Sequence, residues 1–465
     1  MTRLLWLRND LRLADNPALY HACKGHDKVR VIYCATPEQS QAHHESAAQL
    51  AFRQGLLLSL ARQLADIGVP LDILHCPSFA QIPALILQYC QQHKINSLWF
   101  NDQSWLNEQL RDERVEQALT AHDINCHRFS DEMLVNQPIL TKTEQPYRVF
   151  TAWYRQWLST LLATHVSLLP PPAASRAAIN IETTINLALD TKPSLTAQYR
   201  DDIWPPCQQH AISQLIEFCQ SGAIDYANNR DYPGIKGTSL LSPYLACGAI
   251  SIRQCYIYLQ QSCLEHQAPW PDNTWLKELG WREFYRYLMI HNPDIAKGKA
   301  FNASKEPRWI DNPQHFSAWQ QGQTGFPLVD AAMRQLQRTG WMHNRLRMLS
   351  ASFLCKLLLI DWRQGEQHFM QLLIDGDFSS NNGGWQWSAS IGCDATPWFR
   401  IFNPTTQSTK FDAKGTFIRK MLPELASLSD KDIHCPTAEQ RQSLGYPQPI
   451  IDYKEARARA LNWLK

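Results

Sequence analysis

Ile374-Asp375-Gly376-Asp377-Phe378-Ser379-Ser380-Asn381-Asn382-Gly383-Gly384-Trp385-Gln386-Trp387 decides how the second half of this 465-residue chain is read. Two carboxylates, the adjacent amides of Asn381 and Asn382, glycines and two indoles stand within little more than a dozen residues. Glycine lets backbone approach a flat ligand closely. Indoles stack on rings and give up electrons, and carboxylates hold a ribose or a protonated ring. Together these residues predict a wall around a large planar redox cofactor.

Three more stretches carry chemistry. In Trp275-Leu276-Lys277-Glu278-Leu279-Gly280-Trp281-Arg282-Glu283-Phe284-Tyr285-Arg286, helical spacing puts Glu278, Trp281, Arg282 and Tyr285 on one face. Such a face is either a buried ion pair joining two helices or a polar pocket floor with an aromatic platform. In Gly340-Trp341-Met342-His343-Asn344-Arg345-Leu346-Arg347-Met348, Asn344 and Met348 face one site and Arg345 points elsewhere. Arg347 is placed to pair with Asp375 or Asp377, for structure or to grip a cofactor. Tyr226 to Pro233 and then Gly237-Thr238-Ser239-Leu240-Leu241-Ser242 offer hydroxyls and backbone N–H groups ahead of a helical stretch. That suits a diphosphate, as it suits an ordinary helix cap.

The length predicts two or three domains. Residues 1–130 alternate strand candidates (4–8, 29–34, 71–75, 97–101, 125–129) with amphipathic stretches at 46–67 and 82–93. Such βα repeats predict a parallel, Rossmann-like five-stranded sheet. No GxGxxG follows the first strand and no P-loop occurs, so the usual nucleotide readings lose support. Residues 131–205 read as an inter-domain linker that includes Leu169-Pro170-Pro171-Pro172-Ala173-Ala174-Ser175, which cannot continue a helix. Residues 206–465 read as helical, most clearly at 211–221, 252–261, 274–290, 328–339 and 344–359, with a short helix at 454–464.

The net charge of +2 gives no global basic field, so nucleic-acid binding must rest on a local patch. Most of the 17 tryptophans lie in the second half, where a large aromatic core is the plain reading. The 13 scattered cysteines form no CxxC pair, which predicts a reducing compartment with neither disulfides nor zinc. The first apolar run is too short for a signal peptide, and no membrane-spanning segment is seen. A soluble cytoplasmic protein is expected. No catalytic triad or metal-ligand spacing is visible, and His43-His44 reads as a solvated loop.

The four stretches, in this order, with the opening Trp6-Leu7-Arg8-Asn9-Asp10-Leu11-Arg12-Leu13, resemble the photolyase/cryptochrome family essentially end to end. The branch they resemble most is the bacterial class I cyclobutane pyrimidine dimer photolyases. The resemblance implies an α/β domain, a long linker and a helical domain holding FAD. It also implies light-driven repair of pyrimidine dimers in UV-damaged DNA by a monomer. Residue by residue, it places Tyr226, Thr238, Ser239, Leu240, Leu241, Ser242, Trp275, Arg282, Trp341, Arg347, Asp375, Gly376, Asp377 and Asn381 at FAD, with Asn381 facing flavin N5. Glu278, Asn344 and Met348 match positions that touch the dimer, and Trp281 and Trp387 match the aromatic walls of its cavity. Arg230, Arg282, Tyr285, Arg345, Arg400 and Gln407 match DNA-contacting positions, so a local patch of Arg suffices for phosphate anchoring. Trp385, Trp362 and Trp309 match an electron-transfer chain. His43, Asn107, Glu108 and Lys297 match positions that hold 5,10-methenyltetrahydrofolate as an antenna.

Three departures stand out. Leu240 replaces a basic residue, Cys393 replaces a small or hydroxyl residue, and Gly280 replaces a bulky aliphatic, with room left at the pocket margin. Two other functions compete with dimer repair. Asn381 and the lack of an extended tail weigh against a signalling cryptochrome. Asn344, where a second histidine would follow His343, weighs against a (6-4) photoproduct photolyase.

Overall fold

The computed structural model describes residues 2–25, 28–173 and 199–463. Part of the expected linker and the last residue of the expected 454–464 helix therefore lie outside the described residues. The chain packs into two compact units, residues 1–224 with 239–296, and residues 225–238 with 297–465.

The first unit contains five parallel strands: β1 (Thr2–Leu7), β2 (Val29–Ala35), β3 (Leu71–His75), β4 (Ile95–Asn101) and β5 (Asn125–Phe129). Their order is β3-β2-β1-β4-β5, so the winding reverses beside β1. That is the topological switch point of a doubly wound sheet. Trp6, Ile32, Leu98 and Phe100 form a core with Ile82 and Ile86 of α1 (Ile82–Gln92) and Val115 and Leu119 of α2 (Leu106–Thr120). The parallel, Rossmann-like sheet read from the sequence is present, and each strand lies within two residues of its expected position.

Within the same unit, α3 (Phe150–Ala163) packs on α4 (Thr274–His291). Trp281 stacks on Phe150 with ring centroids 3.6 Å apart and planes 8° from parallel. Glu283 is buried on α4 and accepts from the backbone N–H of Leu134 at 2.9 Å, that of Val135 at 3.1 Å and the Trp157 indole at 2.8 Å. Burial pushes its carboxyl up to about 7, while these donors pull the other way. Gly280 has a packing reason: a Cβ there would lie 2.8 Å from the Tyr154 ring. The space left by glycine seats Tyr154 against the helix, which corrects the expectation of extra room at a pocket margin.

The second unit is helical. α5 (Pro327–Thr339), α6 (Asn344–Ser352), α7 (Trp362–Met370) and α8 (Phe378–Ser388) surround a core that includes Trp319, Trp362, Phe369 and Trp385. The helix expected over 344–359 is α-helical only to Ser352 and then widens to a π turn, Phe353–Leu357. The 211–221 segment behaves alike in the first unit, as Gln208–Glu217 followed by a π turn at Phe218–Gly222. Among the described residues no helix is long and apolar enough to cross a membrane.

One contact fixes α7 against α8. A Cβ on Gly365 would lie 2.1 Å from Trp385 Cη2 and 2.7 Å from Leu354 Cδ2. Overpacking of this kind costs about 1–3 kcal/mol. Gly365→Ala is therefore expected to lower the melting temperature and displace the Trp385 ring. Thermal unfolding with near-UV circular dichroism checks this, and an unchanged Trp385 signal would show that the helices simply part.

Candidate functional site

In the second unit the site is organised by α8. Asp377 caps this helix, its Oδ1 accepting from Ser380 N at 2.9 Å. One turn later Asn381 is buried, and its Nδ2 donates to the Glu366 carbonyl at 3.0 Å. The amide is thereby oriented, and Oδ1 makes no hydrogen bond with the described residues. A polar relay backs it. Asn382 Nδ2 donates to Glu366 Oε1 at 2.8 Å, Gln386 Nε2 to Asn382 Oδ1 at 2.9 Å, and Phe301 N to Gln386 Oε1 at 2.8 Å. Burial pushes Glu366 up to about 7 against the pull of Asn382 and Arg363.

Arg347 pairs with Asp375, not Asp377. Its Nη2 lies 3.0 and 2.8 Å from the two carboxylate oxygens, and its Nε donates to the Met342 carbonyl at 2.8 Å. Trp341 is half-buried, edge-on to His343. His343 caps α6, its Nδ1 accepting from Arg345 N at 3.2 Å. Burial pushes this ring down to about 4, so it is neutral at physiological pH. Asn344 is exposed and Met348 half-buried, one turn apart on α6. Arg345 does point elsewhere: its Nη2 lies 2.6 Å from Asp231, and its guanidinium covers the Phe411 ring at 4.7 Å. Arg230 lies over Tyr226 at 5.4 Å. Thr238 belongs to the same unit, as do half-buried Trp387, exposed Arg400 and half-buried Gln407.

The other expected positions belong to the first unit. Leu240 sits at a left-handed φ of 54° between Ser239 and Leu241, and Ser242 opens the short helix Ser242–Ala246. Trp275 is buried edge-on to Phe218 at 4.9 Å, and Glu278 is half-buried. Arg282 donates to the Glu132 carbonyl at 3.2 Å and lines a polar cavity with Arg12, Asp131, Glu132 and Arg286. Tyr285 packs on Trp281 at 5.6 Å. Of the antenna positions, His43 Nε2 meets Asn107 Nδ2 at 3.0 Å, and its Nδ1 lies 3.7 Å from Glu108. Burial pushes Glu108 up to about 7, against Arg111. Lys297 falls in the other unit.

The three tryptophans differ in setting. Trp385 and Trp362 are buried, and Trp385 packs edge-on to Phe369 at 4.9 Å and Trp319 at 6.0 Å. Trp309 is half-buried.

Two residues were not singled out from the sequence. Glu366 holds Asn381 through its carbonyl and Asn382 through its carboxyl. Lys356 is wholly buried in the π turn, and its Nζ donates to the carbonyls of Pro397 at 3.3 Å and Arg400 at 3.2 Å. Burial pushes this ammonium down to about 8. A lone lysine inside an apolar run, Phe353-Leu354-Cys355-Lys356-Leu357-Leu358-Leu359-Ile360, was the signal for it.

Residues 3–175 match the family profile described as DNA photolyase, and residues 275–465 match the FAD binding domain of DNA photolyase. A deoxyribodipyrimidine photo-lyase of Escherichia coli (strain K12) is 43% identical over 99% of this chain and 98% of its own length. The chain belongs to the DNA photolyase family. Among solved structures, a bacterial class III photolyase from Agrobacterium tumefaciens superposes with a TM-score of 0.87 at 33% identity, covering 99% of this chain and 96% of the other. A cryptochrome from Synechocystis sp. PCC6803 superposes with a TM-score of 0.83 at 26% identity, covering 99% of each chain. The family's FAD fits the residues present. An amide oxygen with no donor among the described residues suits a ring N–H, and the fixed Arg347–Asp375 pair suits a polar edge or ribityl hydroxyls.

Proposed function

We propose that this chain uses light to repair cyclobutane pyrimidine dimers in UV-damaged DNA. Bound FAD, reduced and excited by light, supplies the electron that splits the dimer. The protein's part is to hold, orient and exclude water. Asn381 carries the reading: its anchored Nδ2 leaves Oδ1 to accept from the flavin N5–H, with no added negative charge beside a flavin anion. An aspartate there would favour other redox states, as in a light sensor.

Around that residue, Arg347, Asp375, Gly376, Asp377, Trp341 and Trp275 form the ring and ribityl side of the FAD site. Tyr226, Thr238, Ser239, Leu240, Leu241 and Ser242 form its phosphate side. Glu278, Asn344 and Met348 meet the dimer. Glu278, when it carries a proton, donates to a pyrimidine carbonyl, and Trp281, braced by Phe150, and Trp387 serve as aromatic walls for the flipped bases. Stacking on such walls is worth about 1–3 kcal/mol per base and offsets the few kcal/mol, roughly, of unstacking. Arg230, Arg282, Tyr285, Arg345, Arg400 and Gln407 anchor the strand around the lesion. Trp385, Trp362 and Trp309 carry electrons inward to oxidised FAD. His43, Asn107, Glu108 and Lys297 hold a methenyltetrahydrofolate antenna, the two oxygens of a carboxylate such as Glu108 accepting paired hydrogen bonds from the N–H groups of its pterin. The protein acts as a cytoplasmic monomer.

His343 supports dimer repair over (6-4) repair. Neutral and committed to capping α6, it has no histidine beside it at Asn344 with which to move a proton. The test is repair of a thymine dimer in a short oligonucleotide by flavin-reduced protein, in blue light and in the dark. Light-dependent recovery of intact thymines is expected, while retained FAD with no repair in either condition overturns the reading. Glu278→Ala is expected to lower repair per absorbed photon several-fold while DNA affinity changes less. An unchanged quantum yield removes Glu278 from the mechanism.

A further inference from the structure

This inference rests on the reading of Trp309, Trp362 and Trp385 as stops for inward-moving electrons. The Trp309 indole N–H donates to Glu306 Oε1 at 3.1 Å. The same carboxylate accepts from Arg363 Nη1 at 2.6 Å and from Nη2 at 3.3 Å. Arg363 in turn covers the face of Trp362, with its guanidinium carbon 4.8 Å from the ring centroid. One ion pair thus sets its anion on one indole and its cation on the next. The Trp362 indole also bears on Glu306, but weakly and short of a hydrogen bond.

The arrangement is fixed from several sides. Arg363 Nε donates to the Gly298 carbonyl at 2.6 Å, and Asp361, which caps α7, accepts from Arg363 Nη1 at 3.1 Å. Burial opposes ionisation of Glu306, yet its bonds from Arg363 and Trp309 hold the carboxyl below its ordinary range. It is therefore an anion at neutral pH. Arg363 is an unbroken cation there.

We propose that Glu306 and Arg363 give the tryptophan path its direction, by making Trp309 the easier indole to oxidise and Trp362 the harder one. A carboxylate bonded to an indole N–H stabilises positive charge on that ring. A guanidinium over the face of a ring repels positive charge placed there. When Trp385 gives an electron to light-excited oxidised flavin, Trp362 refills Trp385 and Trp309 refills Trp362. One electron has moved inward, no bond has broken, and one positive charge rests on Trp309 beside Glu306. A thiol reductant in solution then returns the electron to Trp309. Without the ion pair the charge divides more evenly between Trp309 and Trp362, and return of the electron from the flavin wins more often.

The test is flash spectroscopy of the oxidised holoenzyme, following the tryptophan radical in the parent, Glu306→Gln, Arg363→Gln and Trp309→Phe proteins. Glutamine keeps an oxygen for the indole and removes the charge. In Glu306→Gln the long-lived radical yield is expected to fall about tenfold, the population ratio that one charge-assisted hydrogen bond supports. Its ultraviolet resonance Raman band for indole N–H should move toward weaker hydrogen bonding, a readout independent of photoreduction. Arg363→Gln, the second variant should Glu306→Gln fold poorly, is expected to speed radical decay in the same sense. A parent-like yield in both variants, with the radical lost in Trp309→Phe, overturns the proposal alone. A parent-like yield in Trp309→Phe overturns both the path through Trp309 and the proposal.

Discussion

Trp385→Phe is expected to reduce photoreduction of oxidised FAD to the level of an unilluminated sample, while repair by chemically reduced protein survives. Trp385 follows Asn381 by one helical turn on α8, so the indole proposed to give up the first electron and the amide proposed at flavin N5 share a rigid support. Phenylalanine keeps an aromatic ring against Phe369 and Trp319 and loses the easily oxidised indole. The smaller ring leaves space beside Gly365 and costs some stability, but the helix remains. Flavin absorbance during blue illumination with a thiol present measures the first effect, and dimer repair after dithionite reduction measures the second. Loss of both activities would assign Trp385 to the pocket instead of the electron path.

Asp375→Ala is expected to weaken retention of FAD about a hundredfold. Asp375 is buried and takes both oxygens to Arg347, whose side chain is 26% exposed. Removing one partner of a buried pair typically costs about 3–5 kcal/mol. Access of water to Arg347 puts this pair at the low end, about 3 kcal/mol, which corresponds to roughly a hundredfold in affinity. Fluorescence titration of the apoprotein with FAD measures the change. The Arg347→Ala variant and the double variant complete a cycle. If the two losses simply add, the pair acts as two separate contacts.

The choice between Asp375 and Asp377 shows where sequence reading stops. The two are separated by one residue, so Arg347 on a distant helix has no offset by which to prefer either. The structure decides because Asp377 opens α8 and must cap it, and Asp375 is then left for the arginine. Gly280 teaches the same lesson. As a letter inside a helical pattern it suggested a gap, but the gap is filled by Tyr154, which lies far away in the chain.

The α/β sheet followed by a helical region, the family, and the short clusters around Glu278, Asn344 and Asn381 are all legible in the order of residues along the chain. Those signals are local: strand alternation, helical spacing and motifs whose members lie within a few residues of one another. The direction in which the Asn381 amide faces comes from the packed fold, because its anchor is the Glu366 carbonyl, 15 residues earlier. Folding also joins Glu306 to Arg363 across 57 residues, setting opposite charges on Trp309 and Trp362. Buried polar groups must find partners wherever the packed chain supplies them, and no periodicity in the sequence records where that will be.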